Sequence, residues 1–133
     1  MSLLEVRDLK KVYTTRFGGV SVTALEQVNF AVAEGDYVAI MGESGAGKTT
    51  LLNILAALDR PTSGEVLLDG RNTSDIPEKA LSAFRRDHLG FVFQDFNLLD
   101  TFSVKDNIFL PLVLSRKSTA EMEKRLAPIA KQL

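Results

Sequence analysis

Gly42-Glu43-Ser44-Gly45-Ala46-Gly47-Lys48-Thr49 fills the pattern G-x-x-x-x-G-K-[ST] without a mismatch, and no other stretch of the chain restricts the possible folds so sharply. The pattern has meaning only between a strand and a helix. Before it, Tyr37-Val38-Ala39-Ile40-Met41 is a short apolar run, expected as a buried parallel strand; after it, Thr50 to Leu58 is expected as a helix. Gly42, Gly45 and Gly47 let main-chain N–H groups turn inward around an anion, and the following helix brings its positive dipole end to the same place. Lys48 is then expected to reach the β- and γ-phosphates of a nucleotide as a point charge. The Thr49 hydroxyl is expected to complete the coordination of a Mg²⁺ bridging those phosphates, with Thr50 as a further phosphate contact. The glycine spacing, G-x-x-G-x-G, differs from the dinucleotide fingerprint G-x-G-x-x-G and argues against a dinucleotide.

Composition narrows the rest. With 133 residues, 45% hydrophobic and 25% charged, the chain has the size and balance of one globular domain. Sixteen basic against seventeen acidic side chains leave a net charge of -1, which gives no general attraction to nucleic acid or anionic lipid. There is no Cys, hence no disulfide and no thiolate metal site. The charged N-terminal residues do not resemble a signal peptide, and no run approaches the roughly 20 apolar residues of a membrane span. Any association with a membrane is therefore expected through a partner.

Along the chain, Leu3 to Val12 and Thr23 to Val32 alternate enough to be read as antiparallel strands, joined by a turn at Arg16 to Ser21. The breaker-rich Asp59-Arg60-Pro61-Thr62-Ser63-Gly64 leads to a strand at Glu65 to Leu68, closed by the turn pair Asp69-Gly70. Asp75, Pro77 and Glu78 mark the start of a helix over Glu78 to Arg86, with Ala80, Leu81 and Phe84 as its apolar stripe. Leu89 to Phe93 is expected as a core strand ending at Gln94. His88 is assigned to surface or packing use, and Arg85 and Arg86 to the helix C-terminal dipole. From Asp95 the period is lost until Val104, and Ser118-x-x-Glu121 opens a last helix with Met122, Leu126, Ile129 and Leu133 on one face. Pro128 is expected to kink or end it.

Four further stretches choose among the loop's families: Lys11-Val12-Tyr13, Leu58 to Val66, Leu89-Gly90-Phe91-Val92-Phe93-Gln94, and Thr101 to Ile108. Together with the loop they resemble the ATP-binding domain of ABC transporters, through essentially the whole chain. Within that family, His88 to Thr101 followed by Asn107 to Leu112 looks most like the bacitracin-export type, in a wider group with macrolide and lipoprotein transporters. The resemblance implies an α/β fold: a P-loop NTPase core, an N-terminal antiparallel β subdomain and the start of a helical subdomain. Residues 1-36 and 60-76 would form mainly the β subdomain, 37-59 the P-loop strand and helix, 77-94 a helix and the Q-loop strand, and 95-133 the beginning of the helical part. It implies that Tyr13 stacks on adenine, that Gly42, Glu43, Ser44, Gly45, Ala46, Gly47, Lys48 and Thr49 are Walker A, and that Gln94 touches Mg²⁺ and the attacking water. It also implies ATP and Mg²⁺ as cofactors, a second ATP-binding subunit, and a membrane-spanning partner met through Gln94 to Leu99. The location implied is the cytoplasmic face of the membrane.

The family's signature motif, Walker B aspartate, catalytic glutamate and switch histidine have no counterpart among these 133 residues. Asp69 is no Walker B aspartate: Gly70 follows it, and it lies between the P-loop helix and the Q-loop strand. The expectation is therefore that these residues bind nucleotide weakly at most, turn it over negligibly and self-associate through uncovered apolar surface. A small GTPase would use Asp87-His88-Leu89-Gly90 as D-x-x-G, but this follows a helical segment and no guanine-reading Asn-Lys-x-Asp occurs. A small-molecule kinase would need an arginine-rich lid, which is also missing. A binding or scaffold module without turnover remains an alternative from outside the enzymes.

Overall fold

Period-two apolar patterning drives the first half of the chain into an antiparallel sheet. In the computed structural model, which describes residues 2–133, β1 (Ser2–Thr14) pairs with β2 (Ser21–Ala33) on one side and β3 (Ser63–Leu68) on the other. The short β4 (Arg71–Asn72) adds to β3, giving the order β2-β1-β3-β4. Asp69 and Gly70 join the last two strands with φ of 50° and 74°, both left-handed as a two-residue hairpin of this hand requires. Val6 of the central strand faces Phe30 in β2 and Val66 in β3. Val6, Leu9, Leu25 and Val66 make one apolar face, and α1 (Lys48–Leu55) covers it with Leu51 and Ile54. Each of these buried aliphatic side chains contributes about 1.5–3 kcal/mol by leaving water, and this seats the helix on the sheet.

The β1–β2 ladder is irregular near its far end. Lys11 pairs with Leu25 but Val12 pairs with Thr23, so Ala24 is an extra residue, a bulge in β2. Beyond α1 the chain turns at Ala57, whose φ is 53°, and the N–H groups of Leu58 and Asp59 both donate to the Asn53 carbonyl, at 2.9 and 3.2 Å. A smaller cluster of Ala57, Ile76, Leu81 and Phe84 anchors α2 (Glu78–His88). The Arg85 Nη1 donates to the Ala57 carbonyl at 2.8 Å, tying α2 to the end of α1. His88 packs its ring 4.9 Å from that of Phe84.

Three expectations need correction. Asp75 does not cap α2: it ends a 3₁₀ turn over Thr73–Asp75, capped by Asn72, and extended Ile76 then leads to Pro77 at the N-cap position. Tyr37 to Met41 forms no strand, and Tyr37 and Met41 are 99% and 88% exposed. Leu89 to Phe93 forms none either; Phe91 and Phe93 stack on each other at 5.7 Å, and Val92 stands in solvent. An apolar run states where a buried strand can form, but a strand exists only when a neighbour accepts and donates its ladder hydrogen bonds. Neither run has such a neighbour among the described residues.

The residues through Leu89 form one compact unit and Gly90–Leu133 a second. In the second unit, α3 (Val104–Leu114) and α4 (Thr119–Ala130) each begin at a serine cap. The Ser103 Oγ accepts from the Asp106 N–H at 3.1 Å and the Ser118 Oγ from the Glu121 N–H at 3.3 Å. Phe109 and Met122 are buried between the helices, and Lys105 pairs with Glu123 across them. Pro128 does not end α4 where it stands: the helix closes two residues later, at Ala130.

Candidate nucleotide-binding site

The glycine loop lies between the irregular 37–41 segment and α1. Gly47 is the N-cap of α1, with φ 92°, and Gly45 has φ 84°. No side chain caps the helix and no acid lies in its first turn, so the leading N–H groups of Lys48, Thr49 and Thr50 have no capping acceptor on the protein. An uncapped helix start following left-handed glycines suits an anion, whose oxygens can take those hydrogen bonds and the dipole's positive end. The Lys48 side chain curls back over the loop, its Nζ donating to the carbonyls of Gly42 at 2.6 Å and Glu43 at 2.7 Å. The Ala46 N–H donates to the Glu43 carbonyl at 3.1 Å, which closes the first turn of the loop, while Ser44 and Gly45 form its exposed tip.

The bulge in β2 fixes the loop to the sheet. A Cβ on Gly47 would lie 2.5 Å from the Ala24 carbonyl oxygen and 3.0 Å from the Leu25 Cδ2. Tyr13, near the end of β1, pairs with Val22, two residues from Ala24. The same stretch of β2 thus carries Tyr13 on its partner strand and the start of α1 against its carbonyl.

Tyr13 is not a free ring. Its hydroxyl donates to the Asp59 Oδ2 at 2.8 Å; the Lys11 Nζ donates to the Asp59 Oδ1 at 2.8 Å and to the Arg60 carbonyl at 2.7 Å. The Lys11 ammonium also sits 4.9 Å from the Tyr13 ring centroid, in cation–π range. Partial burial would raise the Asp59 pKa, but hydrogen bonds from Lys11, Tyr13 and the Arg60 N–H outweigh it and hold the carboxyl below its ordinary value. In the sequence Asp59 falls in the breaker-rich turn and in the Leu58 to Val66 stretch, with no role of its own. One signal was available: Lys11 and Tyr13 are two apart on a strand and so share a face.

Gln94 is exposed in an irregular stretch of the second unit, as are Asp95 to Leu99. The loop residues 42 to 50 and Tyr13 belong to the first unit. Among the described residues no group of three or more His, Cys, Asp or Glu could hold a metal ion. A divalent cation would therefore need oxygens from a bound ligand, and the Thr49 hydroxyl in the first turn of α1 is a hard oxygen donor of the kind such a cation takes.

A profile described as "ABC transporter" matches residues 25–133. The chain belongs to the ABC transporter family. It is 48% identical over 132 residues to the ABC transporter ATP-binding protein YxdL of Bacillus subtilis, covering 99% of this chain and 50% of that protein. It is 39% identical over 133 residues to the bacitracin export ATP-binding protein BceA of Halalkalibacterium halodurans, covering all of this chain and 52% of that one. Among solved structures, the dimeric, post-hydrolysis form of the ATP-binding cassette MJ0796 of Methanocaldococcus jannaschii, bound to ADP and Pi, superposes with a TM-score of 0.85. That match is 40% identical over 96% of this chain and 56% of the cassette. The α/β, P-loop class expected of the family is thus the class of this chain. The chain spans about half the length of the relatives it matches. The two runs that form no strand here are family segments without ladder partners in the described structure.

Proposed function

We propose that this chain is the nucleotide-binding part of an ABC transporter ATPase, taking ATP with Mg²⁺ on the loop Gly42 to Thr50. The carrying observation is the uncapped start of α1 behind left-handed Gly45 and Gly47, with Lys48 folded over the loop. The N–H groups of Lys48, Thr49 and Thr50 hydrogen-bond the phosphates, Lys48 exchanges its carbonyl partners for β- and γ-phosphate oxygens, and Thr49 holds the cation. When bound, Mg²⁺ neutralises the charge that builds on those oxygens. Tyr13 supplies a stacking face for the base.

Hydrolysis and transport belong to the longer protein, in which a second ATP-binding subunit closes the site. Gln94 serves as its Q-loop glutamine, near Mg²⁺ and the attacking water, and Asp95 to Leu99 meet a membrane-spanning permease. No described helix is long and apolar enough to cross a membrane, and the complex sits on the cytoplasmic face through that permease. Export of peptide antibiotics, or resistance to them, is the transport reading favoured by the relation to BceA.

Calorimetric titration of ATP, with and without Mg²⁺, into this chain and into Lys48→Ala tests the binding reading. Loss of one charge-assisted contact is expected to weaken ATP by roughly 10- to 100-fold, with no phosphate released above background by either protein. Equal affinity in the two proteins, or no binding by the unmodified chain, would refute it.

A further inference from the structure

The loop that follows α1 is stitched to β1 at the place where Tyr13 emerges. The Thr62 N–H donates to the Lys10 carbonyl at 2.8 Å, and the Val12 N–H donates to the Thr62 Oγ1 at 2.9 Å. Arg60 extends the other way, its guanidinium donating to the carbonyls of Ser74 at 3.0 Å and Ile76 at 3.1 Å. Asp59 lies between these two anchors. One carboxylate oxygen takes the Tyr13 hydroxyl and the other takes both the Lys11 ammonium and the Arg60 N–H, at 2.7 Å for the latter. The Lys11 side chain is only 13% exposed, so this pairing is far less open to competition by water than the other ion pairs of the first unit.

A stacking platform works only if its ring is held, because a base that must first immobilise a freely rotating tyrosine loses binding free energy to that ordering. Tyr13 is 43% exposed, too open for packing to fix its ring. The hydroxyl bond fixes its tip, and the Lys11 ammonium lies over the ring. Building on the nucleotide reading above, we propose that Asp59 is a positioning residue of the site. It clasps Tyr13 and Lys11 together so that Lys11 covers one ring face and the other is presented to the purine of ATP. Asp59 itself touches neither base nor phosphate; its effect runs through the tyrosine.

The test compares ATP with inorganic tripolyphosphate, both with Mg²⁺, by calorimetry on the unmodified chain, Asp59→Ala, Tyr13→Phe and the double variant. Tripolyphosphate samples the glycine loop without a base. The expected result is an ATP affinity about tenfold weaker in Asp59→Ala, a large part of what one base stack contributes, with tripolyphosphate affinity changed by less than about twofold. Tyr13→Phe removes only the hydroxyl of an exposed ring and keeps the fold; it is expected to match Asp59→Ala, and the double variant to be no weaker than either. Equal loss of ATP and tripolyphosphate in Asp59→Ala would make Asp59 a support of the fold and overturn the proposal. Unchanged ATP affinity in Tyr13→Phe would overturn it also, leaving the loop reading intact. Failure of the unmodified chain to bind either ligand would overturn the nucleotide reading and this one with it.

Discussion

Gly47 sits against the carbonyl of Ala24 so closely that a Cβ there would lie 2.5 Å from the oxygen. The contact joins the N-cap of α1 to the bulge in β2. It gives the last glycine of the loop a role in the fold, whatever the loop binds. Gly47→Ala must move the bulge or the helix and also hold alanine at φ 92°, so a loss of about 2–4 kcal/mol is expected. Gly45→Ala, at φ 84° with nothing within 4 Å, is expected to lose only about 1–2 kcal/mol. Urea melts of the two variants check the order; equal stability would mean that the bulge yields freely.

Leu9 is fully buried at the centre of the sheet, beneath α1. Leu9→Ala is expected to cost about 2–5 kcal/mol, through lost transfer free energy and the cavity left behind. Because Ile54 and Leu51 rest on the same cluster, the start of α1 should loosen with it. Faster exchange of the hydrogen-bonded amides of α1, from Leu51 to Leu55, than of those in α2 would report this, and uniform acceleration across the unit would argue against it.

The Asp59 carboxyl titrates below its ordinary value, and this sets the sign of a pH effect. A group whose folded pKa is depressed adds stability that is complete above its unfolded pKa, about 4, and is lost as pH falls through the folded value. The unmodified chain is therefore expected to exceed Asp59→Asn in stability at pH 7. The gap should narrow below about pH 4 as the carboxyl protonates and releases Lys11. Denaturant midpoints across pH 7 to 2 for both proteins check it; a gap independent of pH would show that the carboxylate charge contributes nothing.

Asn107 braces the turn ahead of α3, in which the Phe102 N–H also donates to the Leu99 carbonyl at 3.0 Å. The Asn107 Oδ1 accepts from the Leu99 N–H at 2.8 Å, and its Nδ2 donates to the carbonyls of Leu99 at 3.1 Å and Ser103 at 3.0 Å. Asn107→Ala leaves the Leu99 N–H without its acceptor, while the Leu99 and Ser103 carbonyls keep the N–H groups of Phe102 and Asn107, and it is expected to destabilise the second unit by about 1–2 kcal/mol. Asn107→Asp keeps only the acceptor and should fall between. Limited proteolysis after Leu98, Leu99 or Phe102 is the readout, expected to quicken from the unmodified chain to Asn107→Asp and again to Asn107→Ala.

The Ser103 cap of α3 is seen only in the structure, whereas the glycine loop, the turn at Asp69-Gly70, the Ser118 cap and the apolar stripes of the sheet are legible in the residues. Each depends on local backbone chemistry, where a residue three or four places away completes the structure. The runs Tyr37 to Met41 and Leu89 to Phe93 were misread as strands, because apolarity is local and a ladder partner is not. Asp59 escaped notice for a related reason: it is 46 residues from Tyr13, and nothing in the intervening chain announces that the turn after α1 returns to β1.

By itself, then, the amino-acid sequence determined that residues 42 to 50 form a glycine loop at an uncapped helix start, since glycine dihedral freedom, lysine charge and the helix dipole are properties of consecutive residues. Tertiary structure alone decided what holds that loop and its neighbouring tyrosine. Ala24 becomes a bulge only when β2 pairs with β1, and its carbonyl then meets Gly47. Asp59 meets Lys11 and Tyr13 only because burying Leu51 and Ile54 against the sheet brings the end of α1 back over β1.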